Sequence, residues 1–187
     1  LEFRRVLFRS LRLLDAVART GKPVILSTGI ATLTEIEIAL HRLRDSGCKQ
    51  VALLQCTSVY PSDPSLANLR AIETMTKAFS VPVGLSDHIP GTHVALASVA
   101  LGAVIIEKHF TLSRELEGPD HTLSLEPHEM SKFVREVREV EASLGNGVKS
   151  PYGNELKAAI RFRKSMYASR HLRAGEILTI DDIISNL

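Results

Sequence analysis

Apolar residues in this chain gather into short unbroken runs, and each run ends abruptly in polar side chains. The runs are PVILSTG (residues 23–29), VALLQCTSVYPS (51–62), VPVGLSDH (81–88) and AVIIEKHF (103–110), and they begin about 20–30 residues apart. They are continuous rather than alternating, which is the pattern of parallel strands covered on both faces. Between them apolar residues recur at helical spacing. Leu11, Leu13, Leu14, Val17 and Ala18 form a stripe closed by Gly21, and Ile36, Leu40 and Leu43 form another behind a cap at Thr32 or Thr34. Leu66, Leu69, Ile72, Met75 and Phe79 mark a helix over 65–79, and THVALASVAL marks a short one over 92–101. The most amphipathic stretch, 126–144, carries Met130, Phe133, Val134, Val137, Val140 and Leu144 on one face, with Pro127 in the first turn where its missing N–H is no loss.

Strand, polar tip, helix, strand is the grammar of a parallel α/β sheet, in which ligands sit at the carboxyl ends of the strands. In a (β/α)8 barrel those tips converge on one face. The fold class read from the pattern is therefore α/β, with four βα units amounting to half of a barrel that takes about 250 residues when whole. The turn-rich GNGVKSPYG (145–153) ends this region, and a different texture follows, with short β-like pieces, an RAGE turn and a capped turn near Thr179.

Charge narrows the partners. The net charge of +2 over 187 residues comes from LEFRRVLFRS at the start, and the rest is balanced, which gives no electrostatic basis for binding nucleic acid or a membrane surface. The opening segment has no starting Met, apolar core or cleavage site; it reads as a cloning or assembly scar over 1–10, set aside from the fold. Cys48 and Cys56 flank a strand at opposite ends, roughly 25 Å apart at about 3.3 Å per residue, too far for a disulfide. Free thiols fit a cytoplasmic location.

The chemistry should lie at the tips: Ser27, Ser58, Tyr60, Ser86, His88, Glu107 and His109. His88 and His109 end neighbouring strands, so two readings stand: a divalent-ion site completed by oxygen atoms, or two locally hydrogen-bonded imidazoles. Glu107 shares a face with His109 and could ligate, orient a water, act as acid or base, or be a buried carboxylate paired with Lys108 or an arginine. Ser27, Ser58 and Ser86 recur at equivalent tips, where hydroxyls and loop N–H groups can hold a phosphate. Tyr60 could wall a sugar pocket or pack under a loop, and Asp120 in GPDH could bind hydroxyls or merely shape a turn. His41, His93, His128 and His171 read as solvated or structural.

Taken together and in order, KPVILSTG, LLQCTSVYPS, GLSDH, VALGAVIIEKHFTL and GPDHTLSLEP resemble the bacterial sialic acid synthase family of N-acetylneuraminate, legionaminate and pseudaminate synthases and spore-coat polysaccharide relatives. The resemblance covers residues 11–187. It implies a TIM barrel followed by a small antifreeze-like (SAF) domain, in a homodimer whose SAF domains reach the partner's site. It implies a transferase that condenses phosphoenolpyruvate with an N-acylated mannosamine-type sugar, uses Mn²⁺ or Mg²⁺ and releases phosphate. His88 and His109 match its metal ligands, Ser27 and Ser86 its phosphate contacts, Tyr60 and Asp120 its acceptor-sugar contacts, and Glu107 a catalytic acidic residue beside the sugar. Ser58 stands where some members have Asn, and Phe162 matches an aromatic near the sugar. GPDH followed by TLSLEP leans to the neuraminate or legionaminate branch. The organisation expected is a partial barrel over 11–145, a linker over 146–161 and the start of a SAF domain over 162–187. Alternatives are another metal-dependent, phosphoenolpyruvate-using aldolase on a TIM barrel, or a non-catalytic carbohydrate-binding or assembly module; the resemblance disfavours both.

The family's first four strands, with a catalytic Glu and phosphate-binding lysines, have no counterpart in the chain, which reads as cut at its amino end. By itself it is expected to lack synthase activity and to self-associate through unpaired strand edges and an uncovered apolar face. Size-exclusion chromatography with light scattering tests this: a well-behaved monomer with cooperative unfolding would contradict it, as would phosphate release by the chain alone.

Overall fold

The structure, a computed structural model, describes residues 10–186; the rest of the opening segment read as a scar, and Leu187, lie outside the described residues. The chain divides into two units, Leu1–Gly145 and Asn146–Leu187.

In the first unit the four apolar runs pair side by side. Strands β1 (Val24–Ser27), β2 (Val51–Cys56), β3 (Val83–Asp87) and β4 (Ile106–Lys108) form one parallel sheet in sequence order, curled as half of a barrel. Helices α1 (Leu11–Ala18), α2 (Leu33–Asp45), α3 (Arg70–Phe79), α4 (His93–Ala100) and α5 (Pro127–Ser143) complete the βα alternation. Side chains on a strand alternate between faces. Val24, Leu26, Leu53 and Val83 accordingly turn to the helix side, where they bury Leu14, Ala18, Ile36, Leu40, Leu43, Ile72 and Met75. Leu85 continues that face into a second cluster with Ala67, Ile89, Val94, Ala95, Leu125 and Phe133. The opposite, concave face carries Ile25, Ser27, Leu54, Gly84, Ser86 and Glu107, as the register Ser27↔Leu54, Leu54↔Gly84 and Ser86↔Glu107 requires.

Caps set the helix starts. The Thr32 hydroxyl accepts from Glu35 N at 3.3 Å while Glu35 accepts from Thr32 N at 2.8 Å, a reciprocal box that fixes where α2 begins. At α5, Pro127 takes the first helical position and Glu126 N donates to Glu129 Oε2 at 2.9 Å.

Four details depart from the pattern read from sequence. The concave face is not covered throughout, since Ile25 on edge strand β1 is 57% exposed. The stretch 65–79 is not one helix: a 3-10 turn over Pro64–Leu66, started by Asp63, precedes α3, and Asn68 between them has φ 44°. Only three residues of 103–110 form β4. On α5, Phe133 is buried and Met130 and Val137 partly so, but Val134 and Leu144 are about half exposed along an open groove beside edge strand β4. An amphipathic stripe identifies a helix; how much of it is covered depends on the neighbours present.

The second unit holds helix α6 (Asn154–Phe162) and an antiparallel pair, β5 (Ser165–Ala168) with β6 (Ile183–Asn186). Helix α6 occupies much of the stretch read as a linker, and Asn154, Glu155, Leu156 and Ala158 are ordinary helix-permitting residues behind Gly153. Arg170 donates to buried Asp182 Oδ1 at 2.6 Å and to Glu176 Oε1 at 2.5 Å, and the Asp182 carboxylate also accepts from Thr179 N at 2.8 Å, so Arg170 ties the RAGE turn to the capped turn.

The backbone of β3 comes close to its neighbours at Gly84. A methyl group there would lie 2.2 Å from Ile105 O and 2.8 Å from Leu54 Cδ2. Gly84→Ala is therefore expected to destabilise the full-length protein by about 1–3 kcal/mol, as overpacking does. An unchanged urea midpoint would show that β3 and β4 are not held this close.

Candidate active site

The carboxyl ends of β2, β3 and β4 bring three rings together. Tyr60, from the loop after β2, lies with its ring centroid 4.0 Å from that of His88 and 5.8 Å from that of His109. The two imidazoles are 5.2 Å apart by centroid and nearly perpendicular, at 74°. His88 is buried and held from β2, its Nδ1–H donating to Thr57 O at 2.8 Å while Ser62 N donates to His88 O at 3.0 Å. The Thr57 bond puts the proton of the neutral ring on Nδ1 and the lone pair on Nε2, which sits 3.5 Å from Ser86 Oγ.

One step down the concave face, Ser86 Oγ donates to Glu107 Oε1 at 2.8 Å. Presenting that hydrogen to a phosphate instead requires the hydroxyl to rotate. Beside them lies Cys56, buried, its Sγ 3.9 Å from His88 Nδ1. Burial alone would push the thiol up, but His88, Ser27 and Ser86 together outweigh it and hold the thiol below its ordinary value. Ser27 Oγ is buried and, among the described residues, makes no conventional hydrogen bond. Gly29 completes this wall: a methyl there would come within 2.2 Å of Ser58 Oγ and 3.2 Å of Cys56 Sγ, so the absent side chain is what admits the Ser58 hydroxyl.

The loop after β4 brings in Asp120, whose Oδ2 lies 3.8 Å from His109 Nδ1. The loop is pinned on both sides. Leu125 N donates to His109 O and Thr111 N to Leu125 O, a short parallel bridge. Thr111 Oγ1 donates to Ser113 O, so it accepts from His121 Nδ1 at 2.7 Å. Arg114 reaches Ser124 O and the Glu129 carboxylate at the start of α5.

The outer face of the same strand ends holds a feature that reading by motif passed over. Asp87 and Lys108 meet at 2.8 Å with side chains 1% and 2% exposed. Lys108 thus faces away from Glu107, which bonds Ser86 instead. The register Ser86↔Glu107 and Asp87↔Lys108, visible only once strands are aligned, assigns each pair to its side. Cys56, Thr57 O and Gly29 were also missed; alternation from Ser58 back to Cys56 was the available signal for the thiol. Of the residues singled out, Ser27, Ser58, Tyr60, Ser86, His88, Glu107, His109 and Asp120 belong to the first unit's strand-tip face. Phe162 lies in the second unit, mostly exposed. His41, His93, His128 and His171 are all exposed.

Among the described residues no group of three His, Cys, Asp or Glu side chains could enclose a metal ion. The two imidazoles, with the His88 lone pair set on Nε2, nevertheless suit the open type of site in which substrate or water supplies the remaining ligands.

A parallel βα half-barrel with imidazoles, a carboxylate and hydroxyls at the strand tips gathers its chemistry-bearing side chains on the face where βα barrels carry their sites. A model of the NeuB family matches residues 7–149, and the chain belongs to that family. It is 47% identical over 171 residues to an uncharacterized protein of Methanocaldococcus jannaschii, covering 91% of this chain and 51% of that one. It is 43% identical over 168 residues to N,N'-diacetyllegionaminic acid synthase of Campylobacter jejuni, covering 89% and 50%. The crystal structure of N-acetylneuraminic acid synthetase from Leptospira borgpetersenii superposes with a TM-score of 0.75 at 39% identity, covering 82% of this chain and 54% of that one. The chain spans about half the length of the curated relatives it matches. No helix among the described residues is long and apolar enough to cross a membrane.

Arg114 and the Glu126 backbone N–H hold the Glu129 carboxyl below its ordinary value of 4.5. A depressed carboxyl adds stability above its unfolded pKa and loses it as pH falls through the folded one. Glu129→Gln should therefore lower the melting temperature at pH 6, and the gap to wild type should narrow steadily as pH falls below the ordinary carboxylate range. A gap independent of pH would show that the carboxylate does not hold the loop.

Proposed function

We propose that the protein is a nonulosonic acid synthase, condensing phosphoenolpyruvate with an N-acylated mannosamine-type sugar and releasing phosphate, with Mn²⁺ or Mg²⁺ as cofactor. The observation that carries this reading is the ring cluster of Tyr60, His88 and His109 directly above the Ser86 and Glu107 pair. The names of the family relatives, legionaminic and N-acetylneuraminic acid synthases, support it.

A divalent ion on His88 and His109 would supply Lewis acidity to the acceptor's carbonyl oxygen. Ser27 and Ser86 hold the phosphate end of phosphoenolpyruvate, and Ser58 borders it beside Gly29. Tyr60 walls the acceptor sugar and Asp120 binds its hydroxyls. Carbon 3 of phosphoenolpyruvate bonds to the sugar's aldehyde carbon as the C=O π bond breaks to an alkoxide, and water adds at the electron-poor carbon 2. The C–O bond to phosphate then breaks as carbon 2 becomes a ketone, and the proton of its new hydroxyl leaves with the phosphate. Glu107, a hydrogen bond from Ser86, takes the proton of the adding water at its carboxylate, and that proton balances the one the sugar alkoxide takes up. Alignment of the two substrates on one rigid strand-tip face is the main contribution of these residues. Residues 162–187 are the start of a SAF domain which, in a cytoplasmic homodimer, reaches the partner's site; Phe162 is an aromatic near the sugar.

The acceptor belongs to the legionaminate or neuraminate type. Phosphate release by the full-length protein, with phosphoenolpyruvate and a panel of N-acylated sugars, tests the reaction and the branch together. His109→Ala should reduce metal-dependent turnover at least a hundredfold, about the upper end of losses from disturbed metal shells, while the exposed His128→Ala leaves it unchanged. Equal losses in both variants, or release without any sugar acceptor, would refute the assignment.

A further inference from the structure

Two titratable side chains beside the rings take no part in the proposed chemistry. Asp87 precedes His88, and Lys108 precedes His109, in strands whose register pairs Asp87 with Lys108. Their side chains meet on the helix side at 2.8 Å, almost completely buried. The Lys108 ammonium also bonds Ile89 O, and Asp87 Oδ1 accepts from Ile89 N at 2.9 Å. One cation at the end of β4 therefore grips the residues on both sides of His88. We infer that Asp87 and Lys108 form a positioning pair that fixes the separation and mutual angle of the His88 and His109 rings.

The physical case has two parts. A buried ion pair is seldom the most stable choice, because desolvating both charges cancels much of their attraction, and apolar residues of similar volume often do as well. What an ion pair adds over apolar packing is direction: a short charge-assisted bond has a defined length and angle. Strand β4 is three residues long, and the β3–β4 register ends at this pair. Beyond it, His88 is held from the β2 side by Thr57 and Ser62, and His109 from the opposite side by Leu125. The His88 ring is thus anchored through Nδ1 and the His109 main chain through its carbonyl, each to a different neighbour, and the bond between Asp87 and Lys108 joins the two anchored halves immediately below the rings. Its functional meaning rests on the metal reading proposed above; the ring geometry does not.

The test uses the full-length protein. Asp87→Leu/Lys108→Met removes both charges at similar volume, and Asp87→Asn keeps the shape and the acceptor for Ile89 N. Melting curves confirm folding, crystal structures give the distance between ring centroids, and isothermal titration gives the affinity for Mn²⁺ alone. In the folded variants the rings should separate from 5.2 Å by about 1 Å or rotate visibly, and Mn²⁺ affinity should fall about tenfold or more. Rings that stay in place in either folded variant would overturn the inference. Displaced rings, with wild-type protein that binds no Mn²⁺, would uphold the positioning pair and instead refute the metal reading.

Discussion

The buried contact between Asp87 and Lys108 decides what the two faces of the sheet can do. Two charges shut away from water must satisfy each other and their remaining bonding capacity locally, or the fold loses several kcal/mol per ion. Here the carboxylate takes the ammonium on one oxygen and Ile89 N on the other, while the ammonium takes Ile89 O as well. Placing those atoms leaves little choice for the chain between and beside them. Because side chains alternate along a strand, fixing Asp87 and Lys108 on the helix side sends Ser86, His88, Glu107 and His109 to the other.

The same arrangement guards against misalignment. A slip of β4 by one residue would set Glu107 against Asp87 in the dry layer under the helices and turn Lys108 toward the imidazoles. Two buried carboxylates cannot both stay ionised at close range, so the slipped sheet is penalised electrostatically as well as by lost packing. Gly84 adds a steric constraint from the concave side, since any side chain there would run into Ile105.

Much of this was legible beforehand. Unbroken apolar runs with polar endings identified the four strands, and their order made His88 and His109 neighbours; Thr32 was one of two candidates for the cap of α2. Burial was harder to read: Ile25, Val134 and Leu144 looked like core because hydrophobicity reports what a residue prefers, whereas exposure depends on which neighbours are present. The Asp87/Lys108 pair escaped because 21 residues separate its members and only strand register brings them together. Cys56 escaped because its environment is made by His88 and Ser27, from two other strands. The break at Asn68 escaped because its flanks, taken alone, continue a helical stripe.

The bond between His88 and Thr57 has a consequence of a different kind. The partner that sets the imidazole tautomer is a main-chain carbonyl, which has no side chain to substitute and no proton to gain or lose near neutral pH. Sequence drift at position 57 can change the hydroxyl, as long as the loop keeps its path, without altering which nitrogen faces the site. Comparisons of aligned residues would miss such a contact, because what must be inherited is the course of the backbone from Cys56 to Ser62 and not the identity of any letter in it.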